Sequence, residues 1–211
     1  MKLWHCTSAR SLRPLWTLEE ASLDYELEIL PFPPRTLRPD YLKTNCLGTV
    51  PYFVDGAVKM TESVAICHYL VDRYSVPDIG VGPGEREYGQ YLNWLHHADS
   101  TLTFPQTLVL RYRDLEPDVN KQAVAEDYSR WFISRLKLVD RTLQYSDYLV
   151  AGRFTIADIV VTYALILGRI LGLDQYYQPQ TRKYMERLMQ RPAFKRANSL
   201  GEPLTLPSTQ P

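Results

Sequence analysis

The spacing of hydrophobic and polar residues divides the chain into two regions. Over residues 1–74, short apolar runs of the strand type alternate with segments that have helical spacing. From residue 86 onward the apolar spacing is helical, and no strand pattern is found. Residues 75–85 hold two prolines and three glycines and are a predicted linker. We therefore predict an N-terminal domain over residues 1–74 and an all-helical domain over residues 86–211.

The N-terminal region begins with a strand–helix–strand pattern. Residues 2–6 and 25–30 are predicted strands, and residues 11–23 are a predicted helix with an apolar and a polar side. A helix that connects two short strands is typical of a parallel pair. With a short helix and the hairpin described next, the predicted order is βαβαββα. This is the order of a thioredoxin-like α/β domain.

Residues 48–69 show a strand, a turn, a second strand and a helix in close succession. Residues 49–54 are β-branched or aromatic, which suits a strand. Asp55 and Gly56 are typical of a tight hairpin turn, after which the chain returns as a strand. Thr61 is the predicted cap of the following helix.

Pro51 breaks this pattern, because proline removes a donor from a sheet ladder. A cis bond between Val50 and Pro51 accounts for it and turns the backbone N–H and C=O of Val50 outward, toward an extended ligand. Glu62 and Ser63 open a helix, where unpaired N–H groups and the dipole form an anion site. Ser63 adds a hydroxyl donor, and Glu62 can hold an amino group. The pattern predicts a site for a short peptide with an α-amino acid end, such as glutathione.

Five helices are predicted after the linker, over residues 86–113, 118–145, 155–171, 181–190 and 193–200. Pro105 is expected to bend or interrupt the first helix. The third is apolar nearly all round and is therefore the predicted buried central helix. Thr155 and Asp158 have the spacing of a capping box at its start, and Gly172 suits its end. Residues 201–211 hold three prolines and are predicted to be a strap without regular structure.

Composition narrows the class of protein. The 211 residues are 45% hydrophobic, which supports a folded core, and the net charge of +0 argues against nucleic acid as the main partner. No apolar run approaches the length of a membrane span, and the N-terminus lacks the apolar core of a secretory signal. Cys6, Cys46 and Cys67 are an odd number without CxxC spacing, as expected for free thiols. We expect a cytosolic protein with no membrane partner.

Three segments resemble signatures of the glutathione S-transferase superfamily. VPYF (residues 50–53) and TESVAI (residues 61–66) resemble its glutathione-binding signature, and FTIADIVV (residues 154–161) resembles the capping motif of its central helix. The resemblance covers about the whole chain. It implies a bacterial-type cytosolic member with a thioredoxin-like domain, an all-helical domain and glutathione as co-substrate. The glutathione-binding residues that it implies are Thr49, Val50, Pro51, Glu62 and Ser63.

Ser8 and Ser11 are the candidate catalytic residues. The family's reaction needs a glutathione thiolate, which hydrogen-bond donors and the positive end of a helix stabilise. In the family the donor is a tyrosine, serine or cysteine between the first strand and the first helix. This chain has no tyrosine there, and its SARS segment (residues 8–11) differs from the GACS, NSRS and SSCS of particular classes. Ser8, which matches the first serine of SSCS, is favoured over Ser11.

Other interpretations of this turn stay open. Ser11 is equally suited to be the helix N-cap. Arg10 matches the cysteine of the GACS type and can stabilise a thiolate by its charge. Ala9 matches the serine of the NSRS type, which is a departure from that pattern. Cys6 is either a redox-active thiol or a buried small hydrophobe, and its place in a strand favours the second.

The resemblance implies that the second substrate binds between the domains, against the first helix of the helical region. The candidate residues on this helix, named below, follow one another at three- and four-residue spacing, which is also typical of an ordinary core stripe. The adjacent His96 and His97 point to different helix faces and make a poor chelate, so we expect no metal site. The candidate electrophile-site residues are Arg10, His97, Thr101, Phe104 and Leu108.

The leading hypothesis is a glutathione transferase that acts on a hydrophobic or acidic electrophile, as in detoxification. One alternative is a glutathione-dependent isomerase or peroxidase of the same fold; Ser8 suggests the zeta-type isomerase. Another is a non-catalytic binding or assembly module, which Ala9 at the family's serine position suggests. The resemblance also implies a homodimer, with the third helix and the two long helices of the second domain as candidate interface elements.

Overall fold

The computed structural model describes residues 1–116 and 121–201. The predictions for residues 118–120 and 202–211 lie outside the described residues.

The chain divides into two compact units. The first contains Met1–Gly80 and takes up the chain again from Met189, and the second contains Val81–Leu188. The return of the chain to the first unit differs from the sequence-based limits, which assign everything after the linker to the helical region.

A mixed four-stranded sheet forms the centre of the first unit. Its strands are β1 (Lys2–His5), β2 (Glu26–Ile29), β3 (Tyr52–Asp55) and β4 (Val58–Met60). They lie in the order β2-β1-β3-β4. β1 is parallel to β2 and antiparallel to β3, which is antiparallel to β4. The parallel pair follows from the helix that connects β1 to β2.

The helices of this unit confirm the predicted order βαβαββα. Helix α1 (Leu12–Glu20) connects β1 to β2, and the single turn α2 (Pro34–Leu37) with a 3-10 turn (Pro39–Lys43) precedes β3. Helix α3 (Ser63–Arg73) follows β4 and packs against α1. The α/β region followed by helices is the predicted fold class.

Two local predictions near β3 and α3 were wrong. β3 begins at Tyr52 rather than residue 49, because the Val50–Pro51 segment does not join the ladder. Glu62, not Thr61, occupies the N-cap position of α3, with φ −88° and ψ 114°, and no side chain caps the helix. Within the described residues, the first turn of α3 therefore keeps its backbone donors unpaired.

The regular structure of the second unit is helical, and its described residues contain no strand. Its helices are α4 (Tyr88–His96), α5 (Phe104–Val109), α6 (Gln122–Arg135), α7 (Lys137–Leu143), α8 (Ile156–Ile170) and α9 (Pro179–Met189). The predicted helix over residues 118–145 is broken at Leu136, between α6 and α7.

The predicted helix over residues 86–113 is interrupted by two wider, π-type stretches. These are His97–Thr103, before α5, and Leu110–Leu115, after it. Pro105 stands in the first turn of α5, where a missing N–H costs little. The interruption expected near Pro105 is therefore present, and it takes the form of a change in hydrogen-bond spacing.

Helix α8 is the buried central helix, as predicted. Thr155 and Asp158 form the predicted capping box at its start. The Asp158 carboxylate also accepts hydrogen bonds from Leu149 N–H at 3.1 Å and Tyr184 Oη at 2.7 Å. Gly172 follows the helix with φ +70°, a conformation that favours glycine at a helix end.

The last helix of the described residues, α10 (Pro192–Asn198), belongs to the first unit because it packs on α1. The buried rings of Phe194 and Trp16 meet edge to face, with their centroids 4.8 Å apart. Arg191 binds Glu20 through contacts of 2.6 and 2.8 Å. The sequence-based limits placed this segment in the helical region, because helical periodicity does not report which surface an amphipathic helix covers.

Candidate functional site

The candidate site lies at the edge of the sheet where β1 ends and β3 begins. Trp4 is opposite Tyr52 in the antiparallel register, so the residues after β1 run beside those that precede β3. Ala9 and Val50 pack on one buried cluster, which brings these two segments together. The cluster consists of Trp4, Cys6, Leu30, Tyr41 and Tyr52.

The backbone N–H and C=O of Val50 are available to a ligand in this site. The Val50–Pro51 peptide bond is cis, as predicted. In residues 1–116 and 121–201, neither the N–H nor the C=O of Val50 has a hydrogen-bond partner. The preceding Thr49 C=O accepts hydrogen bonds from Tyr41 Oη and Asn45 Nδ2, both at 2.9 Å. These bonds fix the segment, so that Val50 can pair with an extended peptide.

The start of α3 combines an exposed carboxylate with free backbone donors. The Glu62 side chain is exposed and has no polar partner among the residues that the structure describes. The N–H groups of Ser63, Val64 and Ala65 precede the first helical bond, from Ile66 N–H to Glu62 C=O at 2.9 Å. A helix N-terminus of this kind favours an anion, and Glu62 beside it favours a cation.

Ser63 is buried at this helix start, with 3% of its surface exposed. Its Oγ accepts a hydrogen bond of 3.0 Å from Nη1 of Arg13, a residue of α1 that is fully buried. The sequence analysis did not identify Arg13. No local pattern marks it, because its burial results from the packing of α3 on α1.

Ser8 lies in the turn between β1 and α1. It is half-buried and has φ +60°, in the left-handed region that serine rarely adopts. The turn is closed by a hydrogen bond of 3.1 Å from Ala9 N–H to Cys6 C=O, and Arg10 follows in a half-buried position. Residues held in such conformations occur often at functional sites. The packing of Ala9 places this turn on the same edge of the sheet as Val50.

Ser11 has a different environment from Ser8. It is fully buried, and its Oγ lies 2.8 Å from His5 Nδ1 and accepts a hydrogen bond of 3.2 Å from Cys6 N–H. It stands at the N-cap position of α1, but its side chain makes no capping hydrogen bond. Ser11 therefore ties the turn to β1, which is a role that neither the capping nor the thiol-donor interpretation anticipated.

Cys6 is a buried thiol. It is fully buried, and its Sγ lies 3.5 Å from the C=O of Pro31. Burial raises the pKa of Cys6 to about 12, so the thiol stays protonated at neutral pH. Burial likewise raises the pKa of the fully buried Cys67 to about 12, although Thr17 and Arg13 oppose the shift. A protonated, enclosed thiol is a poor nucleophile.

The other candidate electrophile-site residues lie in the second unit. His97 and Thr101 are in the π-type stretch before α5, and Phe104 and Leu108 are on α5. Phe104 is 53% exposed and the others are partly buried, so these four residues do not form an enclosed core stripe. Burial lowers the pKa of His97, and its buried Nε2 has no hydrogen-bond partner within the described part of the chain.

Within residues 1–116 and 121–201, no group of three or more His, Cys, Asp or Glu side chains could hold a metal ion. No helix in these ranges is both long and apolar enough to cross a membrane.

Comparison with known proteins supports the family. The family models of the glutathione S-transferase N-terminal and C-terminal domains match residues 1–72 and 97–192. Glutathione S-transferase 3 of Schizosaccharomyces pombe is 26% identical over 218 residues, which cover 97% of this chain and 89% of that protein. Glutathione S-transferase hmp2 of Hypomyces subiculosus is 30% identical over 158 residues, which cover 70% and 73%, respectively.

A solved structure agrees with these matches. The glutathione transferase URE2P6 of Phanerochaete chrysosporium, crystallised with oxidized glutathione, is similar with a TM-score of 0.80 and 26% identity. The match covers 93% of each chain. Together with the two domain matches and the relatives, it shows that this chain belongs to the glutathione S-transferase superfamily.

Proposed function

We propose that the protein binds glutathione at this edge of the sheet and transfers its thiolate to an electrophile. The observation that carries the proposal is the β3–β4 pairing of Phe53 with Met60, which puts the residues before β3 and those that open α3 at the same end of the hairpin. Val50 offers its backbone N–H and C=O to the cysteinyl residue of glutathione. Glu62 offers a carboxylate to the ammonium group of the γ-glutamyl residue, and the helix N-terminus at Ser63 offers donors to the α-carboxylate of that residue. The γ-glutamyl head of glutathione carries both of these charged groups.

Ser8 is the proposed donor to the glutathione sulfur. It lies in the turn that shares an edge of the sheet with Val50, and the positive end of α1 begins directly after this turn. A hydroxyl donor and a helix N-terminus both stabilise a thiolate and lower the pKa of the thiol. The thiolate then attacks an electrophilic carbon and forms a C–S bond, while the leaving group departs with the bonding electron pair.

For the electrophile we propose a hydrophobic or acidic compound. The exposed ring of Phe104 and the neighbouring Leu108, His97 and Thr101 offer an apolar surface with polar edges. Arg10 adds a positive charge to the turn that contains Ser8. We further propose that the protein is cytoplasmic and forms a homodimer. Sedimentation at micromolar concentration tests the dimer directly, since the mass of one chain would contradict it.

The alternative functions make different demands on the site. A cysteine-based thiol transferase or peroxidase needs a reactive thiolate, which the burial and raised pKa of Cys6 do not favour. A glutathione-dependent isomerase would use the same site and the same Ser8. A non-catalytic module without a peptide ligand would have little need of the Val50 backbone groups and the Glu62 carboxylate.

Calorimetric titration with glutathione tests the binding site. We expect wild type to bind in the micromolar to millimolar range and Ser63→Ala to bind about tenfold more weakly, because one hydrogen bond to a charged group is lost. The exposed Ser199, in the same unit, supplies the matched control Ser199→Ala. Absence of binding to wild type would remove the proposed function.

Turnover of an aryl halide tests the role of Ser8. For Ser8→Ala we expect kcat/KM to fall about 100-fold, as for loss of one donor to a developing anion. The pKa of bound glutathione, followed by thiolate absorbance, should rise in the same variant. Tight glutathione binding without turnover in wild type would instead favour the non-catalytic module. Unchanged turnover in Ser8→Ala would assign thiol activation to another group.

A further inference from the structure

Arg13 is a fully buried guanidinium beneath the start of α3. It lies in α1, and its Nη1 donates the 3.0 Å hydrogen bond to Ser63 Oγ. An arginine side chain keeps its positive charge at all physiological pH values, and burying such a charge is costly.

The hydrogen bond fixes the role of the Ser63 hydroxyl. A guanidinium has donors but no acceptor, so Ser63 Oγ must be the acceptor in this contact. The hydroxyl proton of Ser63 is then left for a different partner. Across residues 1–116 and 121–201, the structure provides no acceptor for this proton. Arg13 therefore prepares Ser63 to donate to an external anion.

The buried charge acts in the same direction. The first N–H groups of α3, on Ser63, Val64 and Ala65, already favour a negative charge through the helix dipole. The positive charge of Arg13 lies one hydrogen bond behind them, in an environment where water screens it weakly. Its influence also extends one turn along α3, where it opposes the burial that raises the pKa of Cys67 to about 12.

We propose that Arg13 is a positioning residue for the α-carboxylate of the γ-glutamyl group, which it serves through Ser63 without touching the ligand. The carboxylate accepts hydrogen bonds from the Ser63 hydroxyl and from the first N–H groups of α3, and Glu62 pairs with the adjacent ammonium group. Specificity for an intact α-amino acid head thus depends on a residue of α1 that is absent from the glutathione-binding signature. This inference rests on the proposed function.

The test combines variants of Arg13 with two ligands. The first ligand is glutathione; the second is 4-aminobutyryl-cysteinylglycine, which lacks only the α-carboxylate. Wild type should bind glutathione more tightly than this analogue. For Arg13→Met, we expect glutathione binding to weaken at least about tenfold while binding of the analogue barely changes. Arg13→Lys keeps the charge and a donor and should lose less than Arg13→Met.

A double-variant cycle shows whether Arg13 acts through Ser63. If it does, Ser63→Ala with Arg13→Met should lose little more glutathione affinity than Ser63→Ala alone. Circular dichroism and thermal unfolding check that each variant is folded. If Arg13→Met does not fold, Arg13→Lys and its combination with Ser63→Ala carry the same comparison.

Three results would overturn the proposal and leave the proposed function intact. They are equal binding of both ligands by wild type, equal weakening of both ligands in the Arg13 variants, and unchanged binding of glutathione in those variants. Failure of wild type to bind glutathione at all would remove the proposed function and this inference together.

Discussion

At the scale of single residues, His5 links the stability of the first unit to pH. It is 1% exposed, and burial lowers its pKa from 6.5 to about 4, although its hydrogen bond with Ser11 opposes the shift. Because the folded pKa lies below the unfolded value, the fold favours the neutral ring over the protonated one. The contribution of the neutral His5 ring to the free energy of unfolding is complete above pH 6.5 and is lost as the pH falls toward 4. The shift corresponds to about 3 kcal/mol in the free energy of unfolding.

Urea unfolding of wild type and His5→Gln over this pH range measures the effect. The advantage of wild type over the variant should shrink as the pH falls, because glutamine does not titrate. His68 is half-buried and lies 3.4 Å from Asp72, so His68→Gln is a control for general loss of a histidine. A constant difference between wild type and His5→Gln at all pH values would show that protonation of His5 is not the cause.

The conformation or role of a residue could be predicted where it depends only on its neighbours in the sequence. A proline in a strand pattern indicated the cis Val50–Pro51 bond, which the structure contains. Ser11 and Arg13 could not be interpreted in this way. Helical periodicity places both in the predicted helix over residues 11–23, but which groups they contact depends on β1 and α3, and those contacts form only in the folded unit.

At the scale of elements, the start of α8 depends on one carboxylate. Asp158 is fully buried and accepts hydrogen bonds from Thr155 N–H, Leu149 N–H and Tyr184 Oη at 2.8, 3.1 and 2.7 Å. Asp158→Ala leaves these donors buried without an acceptor and should lower the free energy of unfolding by about 4 kcal/mol. Asp158→Asn keeps one acceptor oxygen and should cost less. Equal losses in denaturant unfolding would argue against this hydrogen-bond explanation.

The α8 helix and the segment from α4 to α5 show which elements a sequence specifies. The capping box and the apolar run of α8 are local, and the predicted range of residues 155–171 agrees with Ile156–Ile170. The π-type stretches His97–Thr103 and Leu110–Leu115 interrupt the predicted helix over residues 86–113, where the sequence indicated an interruption only through Pro105. A change from four- to five-residue hydrogen bonding leaves almost no compositional signal, because packing decides it.

At the scale of the whole molecule, the last helix stabilises the first unit. Helix α10 packs on α1, which carries Arg13 and follows the Ser8 turn. Two ion pairs at 2.6 Å, Arg191–Glu20 and Arg196–Glu19, flank the contact. No sequence period indicates this long-range contact, because both helices are amphipathic and either could cover another surface. Its consequence is that damage to the C-terminal helix should affect the N-terminal site.

Phe194→Ala tests this dependence. Phe194 is 2% exposed, and its ring meets the fully buried Trp16 ring at 4.8 Å, so the substitution leaves a cavity between α10 and α1. We expect a loss of about 3–5 kcal/mol in the free energy of unfolding, and weaker glutathione binding because α1 loses its support. Tyr145→Ala, at a position that is 86% exposed, should change neither quantity by more than about 0.5 kcal/mol. If Phe194→Ala were as mild as Tyr145→Ala, the packing of α10 would not be what holds α1 in place.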